Sequence, residues 1–412
     1  MLYPLHDLQR SLLRPVSLWA QAGAETLRAF PVPGVAPLAA GYELLHRMTK
    51  DYPRPAFGIR EVGAHGRTVS VVEEVVSDLP FCRLVRFTRR TEDEVTAAKL
   101  QRDFKLLLCA PLSGHFATLL RDTARTLLQD FDVYVTDWKD AREVPLAEGT
   151  FHLDTYVAYL QGFMRQLGPA RLHVVAVCQP VVPALAAVSL LASAGERTPR
   201  SLVLMGGPVD GQQSPTEVNT LATKRPLAWF EQNLVHTVPA GHPGAGRRVY
   251  PGFLQLTAFV AMNPLRHAEA YRDYFAHRAT GQDGAAHERF YDEYNAVLDM
   301  DAAYYLETVD VVFQRFLLAR GEWDVSGVRV RPGDIRDTAL LTVEGAEDDI
   351  SGIGQTQAAH RLCSGLPEDK KAHHLAQGVG HYGIFSGHKW REAIHPRVRD
   401  FLKGHEHGEM HA

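Results

Sequence analysis

One stretch restricts this chain more than any other. From His173 to Val177 the residues are apolar and largely β-branched, the composition of a buried strand, and from Ala184 to Ala194 they have the length and small-residue content of a packed helix. Only a sharp turn fits between the two. A strand that stops abruptly and passes at once into a helix presents one side chain at the bend, the geometry of a nucleophile elbow. Here that side chain is Cys178. Lying over the first turn of a helix, whose unpaired N–H groups and dipole favour negative charge, it is placed to react as a thiolate. The competing reading makes Cys178 a structural cysteine packed among valines.

With 412 residues the chain has room for one large α/β domain with insertions, or for two domains. It is 45% hydrophobic and 22% charged with a formal net charge of −4, which gives no sign of a nucleic-acid partner. Cys82, Cys109, Cys178 and Cys363 lie far apart without C-x-x-C pairing, so neither a zinc site nor a disulfide framework is expected. No metal or cofactor is called for. Met1 to Phe30 mixes Leu with Arg10, Arg14 and Arg28 and lacks the apolar core of a signal peptide. No segment approaches membrane-spanning length. These features fit a cytoplasmic protein whose contact with any surface is peripheral.

Residues 1–66 hold two helical patterns broken by Pro31, Pro33 and Pro37 and read as an N-terminal helical extension packing on a core. Thr68–Val76 and Arg83–Thr88 alternate as paired edge strands do. Apolar runs then recur at Lys105–Pro111, Asp132–Thr136, His173–Val177 and Ser201–Met205, separated by helical stretches, and again at Thr338–Glu344 and Ala372–Ala376. Near-continuous apolar strands alternating with helices predict a mostly parallel central sheet flanked by helices. Residues 67–210 form the first part of that core and 336–404 the second. Between them, 211–335 is aromatic-rich and helical with no evident strand ladder, and reads as a helical cap over the active face. Residues 405–412 form a flexible tail whose His405, His407 and His411 resemble a metal tract but belong to a frayed terminus. Gly241–Gly246 lacks the flanking strand and helix of a phosphate cradle.

Two later segments supply what the elbow requires. Gly345-Ala-Glu-Asp-Asp-Ile350 puts acids at the carboxyl end of a parallel strand, and Gln377–Gly387 puts His381 in a loop made adaptable by Gly378, Gly380 and Gly383. Nucleophile, acid and histidine then follow the chain order of the α/β-hydrolase triad. His381 would take the thiol proton and return it to the leaving alkoxide, and Asp348 would orient the imidazole; Asp349 is the neighbouring candidate. An oxyanion hole is expected from the backbone N–H of Gln179 and from that of Leu112, with Ser113 second. Ser113 and His115 have no elbow around them to support a catalytic role of their own.

Several blocks in order, Leu106–His115, the stretch around Cys178, Tyr291-Asp-Glu-Tyr-Asn295, Glu344–Ile350 and Gly378–Gly387, resemble the intracellular polyhydroxyalkanoate (polyhydroxybutyrate) depolymerases over nearly the whole chain. The resemblance implies an α/β-hydrolase fold and a Cys178, Asp348, His381 triad. It further implies hydrolysis of a storage polyester to 3-hydroxybutyrate oligomers or monomer at cytoplasmic granules, through an acyl-thioester intermediate. Against the general G-x-S-x-G pattern, Ala176 and Pro180 replace the glycines and Cys178 the serine. A tight elbow normally wants those glycines, and this leaves a steric question. Granule binding would need exposed apolar surface, which is expected on the cap. The rival readings are a polyester synthase or acyltransferase of the same fold using hydroxyacyl-coenzyme A, and a non-catalytic granule-surface protein.

Overall fold

In the computed structural model, residues 2–406 are described except Pro31, Pro33 and Asn263. The expected tail at 405–412 therefore lies, from residue 407 on, outside the described residues. His405 is described, and its Nδ1 is 2.8 Å from the Phe401 carbonyl.

The apolar runs become strands because both of their faces can be covered. β1 (Glu61–Ala64), β2 (Arg67–Asp78) and β3 (Cys82–Arg90) lead into β4 (Lys105–Cys109), β5 (Asp132–Trp138), β6 (Leu172–Val177) and β7 (Ser201–Met205). The long insertion then contributes β8 (His236–Thr237), β9 (Arg248–Tyr250) and β10 (Met300–Asp301), which form a small sheet, and the hairpin of β11 (Asp324–Val325) and β12 (Val328–Arg329). β13 (Ala339–Gly345) and β14 (Lys371–Ala376) return to the main sheet.

The nine-stranded sheet runs β1-β2-β3-β5-β4-β6-β7-β13-β14. β1, β2, β3 and β5 pair antiparallel in turn, and every pairing from β5 to β14 is parallel. Every residue of β5, β6, β7 and β13 is buried, whereas β2 alternates between buried and exposed as a strand wetted on one face does. The order reverses at β4, with β5 on one side and β6 on the other. Open α/β sheets bind ligands beyond the carboxyl ends of strands at such a switch point. The helix Val181–Ser193 follows β6 and is buried from Val181 through Leu191; its alanines let it lie close to the sheet.

Three expectations need adjustment. Glu61–Ala64, assigned to the extension, is a strand of the main sheet. The 211–335 region, expected to lack strands, holds β8 to β12, which at two or three residues are too short to show alternation. The N-terminal helices α1 (Leu2–Ala29) and α2 (Val35–Thr49) pack on the insertion rather than on the sheet: Glu43 of α2 pairs with both Arg28 of α1 and Arg278 of the helix Pro264–Ala279, and Arg47 reaches Asp292 at 3.0 Å. Bidentate arginine–carboxylate pairs fix direction as well as distance, which ties these helices to the insertion. Among the described residues, no helix is long and apolar enough to cross a membrane.

Candidate active site

β6 ends at Val177, and Cys178 has φ +67°, a left-handed conformation that costs a non-glycine residue about 1 kcal/mol or more. The surroundings hold it there. Its N–H donates to the Met205 carbonyl at 2.7 Å, and its carbonyl accepts the N–H of Val181 at 3.1 Å. The glycines missing from the elbow are compensated on the neighbouring strand's loop. A Cβ on Gly207 would lie 2.3 Å from Val181 Cβ and 2.5 Å from the Cys178 carbonyl oxygen, so the clearance that the bend needs is supplied at position 207. Pro180 meets no conflict, because it precedes the first helical residue with φ −66°.

Beyond β13, the Glu344 side chain accepts the N–H groups of Gly354, Thr356 and Gln357 at 2.7–2.8 Å and so gathers the loop that carries Asp348. Asp348 Oδ1 accepts the N–H groups of Ile350 and Ser351, each at 2.9 Å, and Oδ2 lies 2.8 Å from Nδ1 of His381. Asp349 is exposed to solvent. Of the two neighbouring acids, Asp348 is the one joined to His381. Gly206, with φ +57°, leaves room beside the pair, since a Cβ there would sit 3.4 Å from Asp348 Oδ2 and 3.5 Å from His381 Cε1.

His381 stands in a short 3-10 turn after β14 and is buried. Burial by itself would depress its pKa. The charge of Cys178, the charge of Asp348 and hydrogen bonds to both outweigh that effect and hold the imidazolium well above its ordinary range. The structure thus brings together three groups spread over about half of the chain. Cys178 itself is half-buried, while Cys82, Cys109 and Cys363 are buried.

The two expected oxyanion donors meet in another way. The Leu112 N–H donates to Oε1 of the Gln179 side chain at 3.3 Å, and the Leu112 carbonyl accepts the hydroxyl of Tyr304 at 3.3 Å. Tyr304 is wholly buried and also hydrogen-bonds Gln179. His115 is buried with Nε2 3.1 Å from the Tyr294 carbonyl, and burial lowers its pKa to about 4; it joins the loop after β4 to the insertion.

Sequence reasoning missed Tyr304 and Tyr382. Both are close enough for the Cys178 charge to raise their pKa values further after burial has done so. Tyr382 continues an aromatic row, with ring centroids 6.1 Å from Tyr294 and 6.3 Å from the partly exposed Phe290. The signals were the aromatic content of the insertion for Tyr304 and adjacency to His381 for Tyr382, and neither says which rings face the elbow. A cleft of about 430 Å³ between α1 and the small sheet, lined by Tyr3, Pro4, His236 and Arg248 among others, excludes these residues. Among the described residues, no three His, Cys, Asp or Glu side chains gather as a metal site would need.

A mixed sheet reversing order at β4, with a sharp strand-to-helix bend after β6 and an acid and a histidine after the last two strands, gives this chain an α/β-hydrolase fold. Residues 206–406 match the family model described as PHB de-polymerase C-terminus. This match covers just under half of the chain and supports an ester hydrolase related to the polyhydroxybutyrate depolymerases. No curated protein gives a significant match. Similar solved structures include a 2-hydroxy-6-oxo-6-phenylhexa-2,4-dienoate hydrolase from a Rhodococcus strain, 15% identical over 81% of this chain and 99% of that one with TM-score 0.46. Another is a protein described as a lipase from Acinetobacter baumannii, 13% identical over 82% and 93% with TM-score 0.44. Likeness at this level says nothing of what this chain acts on.

Proposed function

We propose that this protein degrades a polyhydroxyalkanoate storage polyester with Cys178 as nucleophile, Asp348 as orienting acid and His381 as the proton carrier. The Asp348–His381 contact beside the strained Cys178, in a chain whose second half matches the depolymerase domain, is the observation that carries this reading. The Cys178 sulfur attacks an ester carbonyl carbon and its proton passes to His381 Nε2. The tetrahedral intermediate collapses, the carbon–alkoxide bond breaks, and the alkoxide leaves with the His381 proton. Water, deprotonated by His381, attacks the resulting thioester carbonyl; the carboxylic acid departs and the thiol regains its proton. Asp348, held by two backbone N–H groups, keeps Nδ1 protonated and Nε2 toward the sulfur. The row Phe290, Tyr294 and Tyr382 forms one wall of the substrate approach.

The test is release of soluble hydroxyacid from amorphous poly(3-hydroxybutyrate) by the wild type and by Cys178→Ala, Asp348→Asn and His381→Ala. All three variants are expected to fall to background. Undiminished release by Cys178→Ala, or chain growth from hydroxyacyl-coenzyme A without hydrolysis, would overturn the proposal.

A further inference from the structure

We propose that α1 is the element by which the enzyme docks on its insoluble substrate, laying an uncharged apolar stripe on the neutral polyester surface. The proposal rests on the reading of the substrate given above and concerns a different part of the molecule. Leu5, Leu8, Leu12, Val16 and Trp19 are 59%, 57%, 67%, 38% and 59% exposed. At 3.6 residues per turn they fall within an arc of about 80° and run about 21 Å along the helix. His6, Asp7, Arg10, Arg14, Glu25 and Arg28 all project from the opposite half. The apolar side of this surface helix is therefore largely left to water. Its buried residues, Tyr3, Ser17, Ala20 and Ala24, lie toward the charged side, where Arg28 bonds Glu43 at 2.9 and 3.1 Å and Arg10 forms an exposed pair with Asp51 at 2.6 Å; Arg14 and Glu25 stay exposed, and the stripe is open apart from an edge contact of Trp19 with Tyr42.

Charge and area choose the occupant. Helices that lie on anionic lipid present lysine and arginine beside the apolar face; here Arg10 and Arg28 are engaged with carboxylates of the segment that follows α1, and the stripe itself carries no ion. A second copy seated on the same stripe would bury about 1,000 Å² in total, at the lower limit for a stable pair. Pro15 also stands at the position that a Leu5, Leu8, Leu12, Trp19 heptad seam would need for interlocking helices. An extended, uncharged ester surface meets both conditions. The cap, where such surface was expected, shows large apolar exposure at scattered positions such as Leu221, Leu265 and Phe290.

The experiment is sedimentation of the full-length protein with amorphous poly(3-hydroxybutyrate) granules, with phosphatidylcholine vesicles and with phosphatidylcholine–phosphatidylglycerol vesicles. It compares the wild type, Cys178→Ala, the double variant Leu8→Glu/Leu12→Glu and the milder Leu8→Gln/Leu12→Gln. Oligomeric state and hydrolysis of a soluble butyrate ester are measured on each. Wild type and Cys178→Ala should bind granules equally and both vesicle types far less. The glutamate variant should bind granules more than about tenfold more weakly, the glutamine variant in between, and both should retain soluble-ester hydrolysis. Granule binding unchanged in both variants would overturn the proposal. So would vesicle binding equal to granule binding, or a wild-type dimer that the variants dissociate. Absence of Cys178-dependent hydrolysis of the soluble ester would sink the catalytic reading alone, since sedimentation does not depend on it.

Discussion

The backbone N–H of Leu112 donates to Oε1 of Gln179 at 3.3 Å. One N–H group cannot serve two acceptors at full strength, so an ester carbonyl entering an oxyanion hole at Leu112 must displace this side chain. A neutral hydrogen bond is worth about 1 kcal/mol net, roughly fivefold in affinity. Gln179→Ala should therefore lower KM for a small soluble ester about fivefold with kcat moved less. A fall in kcat at unchanged KM would mean that the side chain braces the loop instead.

Asp348 and Asp349 are adjacent but not equivalent. Only Asp348 has one oxygen held by backbone N–H groups and the other on His381. Asp348→Asn should cut kcat by about 10³–10⁴, as the loss of an orienting carboxylate does elsewhere. Asp349→Asn should stay within about twofold of the wild type, because the carboxylate on the imidazole is that of Asp348. Equal effects in steady-state assays would refute the assignment.

The four cysteines should separate cleanly by reactivity. Burial raises the thiols of Cys82 and Cys109 well above the ordinary range and lifts Cys363 to about 12. Only Cys178 is partly open to solvent. Iodoacetamide at neutral pH should add one equivalent, at Cys178, by mass spectrometry, and abolish hydrolysis in step with labelling. Labelling spread over several positions would contradict the burial.

The stability profile should tilt in both directions. Burial lowers His115 to about 4 and His173 to about 3. The unfolded chain thus binds more protons below pH 6.5, and stability falls as pH drops from about 6.5 to 4, by about 3 kcal/mol for His115 alone. His381 has the opposite sign. Its pKa is raised in the fold, so its contribution is complete below the unfolded value of about 6.5 and disappears as pH climbs through the folded one. Melting temperatures from pH 4 to 9 check this: His115→Gln should flatten the acid limb, and Asp348→Asn should shift the His381 loss to lower pH.

Gly207→Ala places a methyl group on two atoms that leave it no space, Val181 Cβ and the Cys178 carbonyl oxygen. Overpacking of this kind costs about 3 kcal/mol. The variant should melt several degrees lower and lose activity together with its elbow geometry. A melting temperature within a degree of the wild type would show that the bend has slack.

The parallel strands were legible because burial on both faces writes a continuous apolar run, as in Leu106-Leu-Leu-Cys109 and Leu340-Leu-Thr-Val343. Cys178 and Asp348 stood out as candidates because each follows such a run, and His381 because it sits in a glycine-rich loop after the half-exposed edge strand β14. Gly207 did not, since the need for clearance arises between neighbouring strands and leaves no local mark. Tyr304 escaped for the same reason: it touches Leu112 across 192 positions of chain. The helical pattern of α1 was legible, but which of its faces meets water was not, since that depends on partners such as Glu43 that come from tertiary packing.

The proposed nucleophile and its proton carrier are made far apart in time. Roughly two hundred residues separate Cys178 from His381, and β13 and β14 are the last strands of the main sheet in chain order. An N-terminus-first order of folding during synthesis leaves the emerging thiol without its proposed base until both of those strands have been made. Products that stop short of His381 should consequently be inert toward ester bonds, whatever the state of their elbow.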